Sequence, residues 1–387
     1  MSVMNYPKFY PGEPIPPENF ANRKKSILTF ERLLDDAELG SIRGVIISGE
    51  RGVGKTSLLY KYEGISQKRS CLFIRVRAHK FTEESEFFNL IISRVGEALK
   101  KYGSLWTRLK TIWNDYEKKW GYNGTEIQKK KLPLQEEFHR RLQELGNCFL
   151  ENFKVIIFAV DEADHIVEHP KILQIIRNVW EEIKKEGYKI MFIFAGKEDL
   201  SKALGKAHSP FKRLCVEIHV GAMDREDLLE IIERAQQKAK NKIPVKICEK
   251  IAEISNGLPH LVHLLGDQVV KTMKEGLKDP QVLWREAFTL FCEYEGLDEK
   301  YDSLNKTLSK QQKEILAAFG KLNRTHATMA ELKVGTKLSL NSLSPQLGRL
   351  MENKIIERTE RGVYKIVDPT FSEYFNMKMG YPLLRTE

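Results

Sequence analysis

The run Gly49-Glu50-Arg51-Gly52-Val53-Gly54-Lys55-Thr56-Ser57 concentrates residue types that can hold a phosphate. Glycine, four residues, then glycine, lysine and threonine is the spacing of a loop that wraps a phosphate with its backbone N–H groups turned inward. Glycines at 49, 52 and 54 remove the Cβ atoms that would block that approach. Lys55 then reaches the β and γ phosphates, and the Thr56 hydroxyl is placed to ligate Mg²⁺. Asp161-Glu162 supplies the complementary chemistry: Asp161 to hold Mg²⁺, directly or through water, and Glu162 to polarise the water that attacks the γ-phosphate. Asp164 and His165 are expected to begin the following helix, with His165 at the surface.

Such residues need rigid elements behind them. Gly44-Val45-Ile46-Ile47-Ser48 is a short apolar run of the kind a buried parallel strand shows, and the stretch from Ser57 to Lys61 reads as the opening of a helix. Val155 to Val160 is an uninterrupted apolar hexamer, so Asp161 and Glu162 fall at the carboxyl end of a strand buried on both faces, where ligands of open parallel sheets bind. A further strand, Ile190 to Ala195, leads into Gly196-Lys197-Glu198-Asp199. That tetrad lacks the asparagine of the guanine-reading N-K-x-D, and Asp161 heads D-x-x-D rather than D-x-x-G, which favours ATP over GTP. A dinucleotide fingerprint fails because Ser57 stands at its third glycine position.

With 387 residues and 42% hydrophobic content, the chain has room for two or three domains. It shows no signal peptide and no apolar run long enough to cross a bilayer, so a cytoplasmic location without membrane contact is expected. Five scattered cysteines with no C-x-x-C pair read as small buried hydrophobes. The net charge of +10 is spread along the chain, a weak pointer to nucleic acid.

The ordered set of P-loop, long helical insert, strand ending in Asp-Glu, strand ending in Ala-Gly and a later arginine resembles the AAA+ branch of archaeal origin-recognition ATPases, transposition regulators and STAND-type signalling ATPases. The Pro-rich lead at 11–25, with Phe20-Ala21-Asn22-Arg23, adds to it, and the likeness covers about 11–375. The resemblance implies an α/β P-loop core with a parallel sheet, a helical lid and a C-terminal winged helix. It also implies an ATP/ADP cycle and places Asn22 and Arg23 near the adenine pocket. By order in the chain Lys197 takes the position of the polar sensor. Arg213 takes that of an arginine finger reaching a neighbouring subunit's γ-phosphate, with Lys212 as its competitor. Asn256-Gly257-Leu258-Pro259-His260 resembles the start of the lid helix, with His260 where relatives carry an arginine, a departure that implies slow turnover or a lid that senses nucleotide differently.

The expected domains are a core over 1–222 with an insertion at 81–153, a lid over 223–300 and a winged helix over 301–387. In the lid, Asp224 is expected to cap one helix, and Asn256-Gly257 to stop a second that carries Val245, Ile247, Ile251 and Ile254. Trp106, Trp113, Tyr116 and Trp120 of the insertion suit either base stacking or the packing of a helical hairpin, and their spacing suits the packing better.

Near the C-terminus, Ser309-x-x-Gln312 and Thr328-x-x-Glu331 are capping boxes, and Leu340, Leu343, Leu347 and Leu350 mark a third helix in which Pro345 is tolerated only near the first turn. Ile355 to Thr359 and Val363 to Val367 flank a tight hairpin at Glu360-Arg361-Gly362. Three helices and a hairpin make a winged helix, which would offer Asn341, Ser342, Gln346 and Arg349 to the bases of double-stranded DNA, and Arg358 and Arg361 to its backbone. The open alternative is a winged helix that contacts protein, as partner or in self-association.

Overall fold

Five runs of apolar residues pair in parallel and set the frame of the molecule: β1 (Gly44–Ser48), β2 (Leu72–Arg77), β3 (Ile156–Asp161), β4 (Ile190–Gly196) and β5 (Cys215–His219). Their order across the sheet is β2-β3-β4-β1-β5. β1 and β4 are buried along their whole length, as expected of interior strands covered on both faces by helices. The register places Arg77 beside Asp161, and Ser48 beside both Gly196 and His219, so the carboxyl ends of all five strands share one edge. The structure, a computed structural model, describes residues 5–17, 19–100, 103, 107, 111, 133–207, 209–322 and 324–384. Trp106, Trp113, Tyr116 and Trp120 lie outside the described residues. Among the described residues no helix is long and apolar enough to cross a membrane.

Helices seal the sheet with complementary apolar faces. Pro170–Lys185 buries Ile172, Ile176, Val179, Trp180 and Ile183, and the Trp180 indole donates to the Ile190 carbonyl at 2.8 Å. Lys24–Glu38 and Lys55–Lys68 meet through Phe30 stacked on Tyr62, ring centroids 3.9 Å apart.

The chain divides into two compact units. One is Pro14–Gly221; the other runs from Ala222 onward and includes the N-terminal residues through Glu13, in contrast to the core expected over 1–222. The reason is local packing. Phe9 lies against Gly266, Tyr10 donates its backbone N–H to His263 Nδ1 at 3.4 Å, and Lys8 donates to the Ala235 carbonyl at 3.0 Å.

In that second unit, helices Arg225–Gln236, Val245–Ser255, Pro259–Lys274 and Pro280–Glu295 are followed by Leu297–Thr307. Asn256, with φ 46°, stops the second of these as its sequence suggested, whereas the Asp224 side chain accepts no capping hydrogen bond. Beyond them come Lys310–Leu322, β6 (His326–Thr328), Met329–Gly335, Leu340–Glu352, β7 (Ile356–Glu360), β8 (Val363–Ile366) and Pro369–Lys378. The three strands form an antiparallel sheet, β6-β8-β7. Both capping boxes form: Ser309 with Gln312, and Thr328 with Glu331.

Two expectations for the Leu340–Glu352 helix need correction. Pro345 lies past the first turn, because the helix starts at Leu340. Gln346 is buried rather than exposed; its amide donates to Gln311 of the Lys310–Leu322 helix at 3.0 Å. The exposed face carries Asn341, Ser344, Pro345 and Arg349 instead, and Ser342 is half-buried.

Candidate functional site

β1 delivers the chain to the loop, and two close approaches shape its start. A Cβ on Gly49 would lie 2.2 Å from the Val220 carbonyl oxygen, so only glycine lets the loop pass beneath that backbone. Gly52 and Gly54 take φ values of 86° and 96°, left-handed conformations that turn the loop back toward the helix it opens. The Lys55 ammonium donates to the carbonyls of Gly49 at 2.7 Å and Glu50 at 2.6 Å. Burial pulls the Lys55 pKa below its ordinary value, against the opposing pull of Asp161, Asp164 and Glu50. Ser57 serves the fold, its hydroxyl accepting the Ile15 N–H at 3.2 Å.

The carboxyl end of β3 comes to meet this loop. Thr56 Oγ1 donates to Asp161 Oδ2 at 2.7 Å, which brings together the hydroxyl and carboxylate expected to share a magnesium ion. Asp161 also accepts the backbone N–H of Glu162 at 3.0 Å, and Glu162 takes a left-handed φ of 54° as the chain turns off the strand. The turn aims the Glu162 carboxylate at Arg77, on the carboxyl end of the neighbouring β2, with Nη2 to Oε1 2.6 Å. The Arg77 hydrogen bond holds the Glu162 carboxyl below its ordinary pKa, helped by the charges of Arg77, His165 and Arg51 against a burial that raises it.

The next strand end is tied in through Asp164. Its carboxylate accepts the Lys197 backbone N–H at 3.1 and 3.0 Å, joining the turn after β3 to the end of β4. Lys197 thereby stands at the end of the fourth strand with an exposed side chain. Arg213, exposed just before β5, has no ion-pair partner among the described residues. Its competitor Lys212 is paired with Glu217 at 2.9 Å. Asn22 and Arg23 lead into the Lys24–Glu38 helix, and the Arg23 guanidinium reaches the loop at the Val53 carbonyl, 3.1 Å away. Pro259 and His260 belong to the second unit, where they are the first two residues of the Pro259–Lys274 helix, Pro259 buried and His260 exposed.

Two participants escaped the sequence reading. Arg77 was legible only through the alternation Ile74-Arg75-Val76-Arg77, the mark of a strand with one exposed face. Asp164 looked like a helix opener, and its bond to Lys197 spans 33 residues.

Comparison with known proteins agrees with this geometry. Residues 42–204 match the family model described as an AAA domain. An uncharacterized HTH-type transcriptional regulator of Methanocaldococcus jannaschii is 22% identical over 362 residues, spanning 89% of this chain and 85% of the relative. Among solved structures, the ORC2 protein of Aeropyrum pernix in its ADPNP-ADP complexes matches with a TM-score of 0.58 at 13% identity, over 98% of this chain and 100% of that one. Cdc6p from Pyrobaculum aerophilum matches with a TM-score of 0.56 at 15% identity, over 92% and 94% of the two chains. The Walker-type ATPase of Pyrococcus abyssi gives 0.50 at 17% identity, over 94% and 98%. At these identities the likeness is one of fold: the chain has the α/β P-loop AAA+ fold, with a parallel five-stranded sheet.

Proposed function

We propose that the protein is a cytoplasmic, origin-recognition-like AAA+ ATPase that binds ATP with Mg²⁺, hydrolyses it slowly to ADP, and uses that cycle to control binding to double-stranded DNA. The observation that carries the nucleotide half is the 2.7 Å contact between Thr56 Oγ1 and Asp161 Oδ2 beneath a glycine loop that ends in Lys55. Thr56 and Asp161 would hold the magnesium ion, Asp161 directly or through water, and the ion would supply positive charge to the phosphates. The loop N–H groups and Lys55 hold the β and γ phosphates, and Glu162 orients and polarises the attacking water. Arg213 is assigned to the γ-phosphate of a neighbouring copy, Lys197 to the sensor position, and Pro259 with His260 to the lid. The resemblance expects an arginine where His260 stands, and that departure fits slow turnover.

The DNA half rests on the C-terminal elements, which we read as a winged helix. Helix Leu340–Glu352 exposes Asn341 and Arg349, and the hairpin exposes Arg358 and Arg361. ORC2 and Cdc6p share the fold, and the archaeal relative is described as an HTH-type regulator. One observation favours a second reading, a signalling ATPase whose C-terminal module contacts protein. On the hairpin, Glu357 and Glu360 alternate with Arg358 and Arg361, and Glu357 lies 3.9 Å from Lys365, so the basic surface is broken by acid.

Titration of a duplex against salt separates the two. Phosphate contacts release counterions, so DNA binding gives a steep fall of affinity with salt. Arg349→Glu combined with Arg361→Glu is expected to weaken duplex binding at least about tenfold and to flatten the salt slope. Basal ATP hydrolysis stays unchanged, because neither residue lies in the unit that carries the P-loop. Absence of duplex binding at low salt would favour the protein-contact reading.

A further inference from the structure

Arg23 stands where the sequence resemblance placed an adenine contact, yet its guanidinium is engaged with backbone. Nη2 donates to the carbonyl oxygens of Val53 at 3.1 Å and of Gly221 at 2.6 Å. The conformation that aims it there is unusual. Asn22 and Arg23 have φ values of 54° and 63°, two consecutive residues with side chains in the left-handed region, and Asn22 Oδ1 accepts the Arg23 N–H. That region is disfavoured for residues bearing a Cβ and persists where the surroundings over-determine it.

The Val53 carbonyl is a telling acceptor. In a planar trans peptide the C=O and N–H point in opposite directions, so a Val53 carbonyl turned outward to Arg23 turns the Gly54 N–H toward the inside of the loop. The φ of 96° at Gly54, the residue that supplies this N–H, is the left-handed conformation that the chain takes directly after that peptide. A charge-assisted hydrogen bond on the carbonyl also polarises the peptide and makes its N–H a stronger donor to an anion. The second acceptor anchors the first. Gly221 follows Val220, whose N–H donates to Ser48 at 2.7 Å and whose carbonyl oxygen closes over Gly49. Arg23 therefore spans the loop from the segment that overlies its first glycine to the peptide that precedes its last.

We propose that Arg23 is a positioning residue for the nucleotide's phosphates: it holds the Val53–Gly54 peptide with its N–H inward and braces the loop against Gly221, without touching the nucleotide. The proposal rests on the reading of this loop as an ATP site, and it separates Arg23 from recognition of the base.

Competition against a fluorescent ATP analogue tests it, with ATP and inorganic tripolyphosphate as the two probes, on wild type, Arg23→Met and Arg23→Lys. Tripolyphosphate carries the phosphates without the base. A brace on the loop predicts that Arg23→Met weakens both probes by the same factor, about tenfold. Arg23→Lys, which retains a cation and its donors, keeps most of the affinity for both. Should Arg23→Met fail to fold, Arg23→Gln carries the same comparison. A loss confined to ATP, or unchanged affinities in the neutral variant, would overturn the proposal. Wild-type protein that binds neither probe would sink the ATP reading itself.

Discussion

At the scale of single residues, the role proposed for Glu162 turns on its pairing with Arg77. A carboxylate bonded to a guanidinium at 2.6 Å, with its pKa held down, is a weaker acceptor for a proton from water than a free one. Arg77→Ala releases Glu162 and is expected to raise the turnover number severalfold while leaving the KM for ATP unchanged; turnover that falls in this variant would show that Arg77 assists hydrolysis. The pair also has a pH signature. Glu162 has a lowered folded pKa, so the pair's contribution to stability is present above the unfolded value near 4.5 and is lost as pH falls through the lowered one. Both side chains are well exposed, so that contribution is small. The glycine loop and the placement of Asp161-Glu162 at the end of β3 were legible because each is written in contiguous residues. The strand alternation marks Arg77 only as exposed; its contact with Glu162, 85 positions away in the chain, depends on β2 lying beside β3.

Elements were legible where burial leaves an uninterrupted apolar run, as in β1, β3 and β4. β2 was passed over because Arg75 and Arg77 face outward from a sheet edge, and β6 has only three residues. Gln346 was misplaced because helical position alone does not show that its amide meets Gln311 on another helix. The final helix, Pro369–Lys378, carries no signal in the motifs, and it holds a buried carboxylate, Glu373. Glu373 is 2% exposed; it accepts the Trp284 indole N–H at 2.6 Å and faces the buried Lys250 ammonium at 3.3 Å. Burial pulls the Lys250 pKa down, but Glu373 and Glu253 outweigh it and hold the ammonium charged. Glu373→Ala leaves that charge facing a cavity and is expected to cost about 3–5 kcal/mol in urea unfolding. Replacing Glu373 and Lys250 together by Leu and Met should cost less than the single change, because no buried charge is left facing the cavity and the remaining loss is the Trp284 indole N–H deprived of its acceptor. Equal losses in the single and double variants would show that packing, not charge, sets the stability there.

On the scale of the whole molecule, an α/β unit carries the P-loop, Asp161 and Glu162, and a second unit carries helices, the antiparallel sheet and the N-terminal residues through Glu13. In the proposed function the α/β unit cleaves ATP, with Glu162 directing the water. Single-turnover hydrolysis of γ-labelled ATP with Mg²⁺, comparing wild type with Glu162→Gln, tests it most directly. Loss of a general base costs about 10²–10⁴ in rate, so wild type releases labelled phosphate while the glutamine variant retains bound, intact ATP at a rate at least about 100-fold lower. Equal rates in the two proteins, or no phosphate released by wild type, would contradict the account.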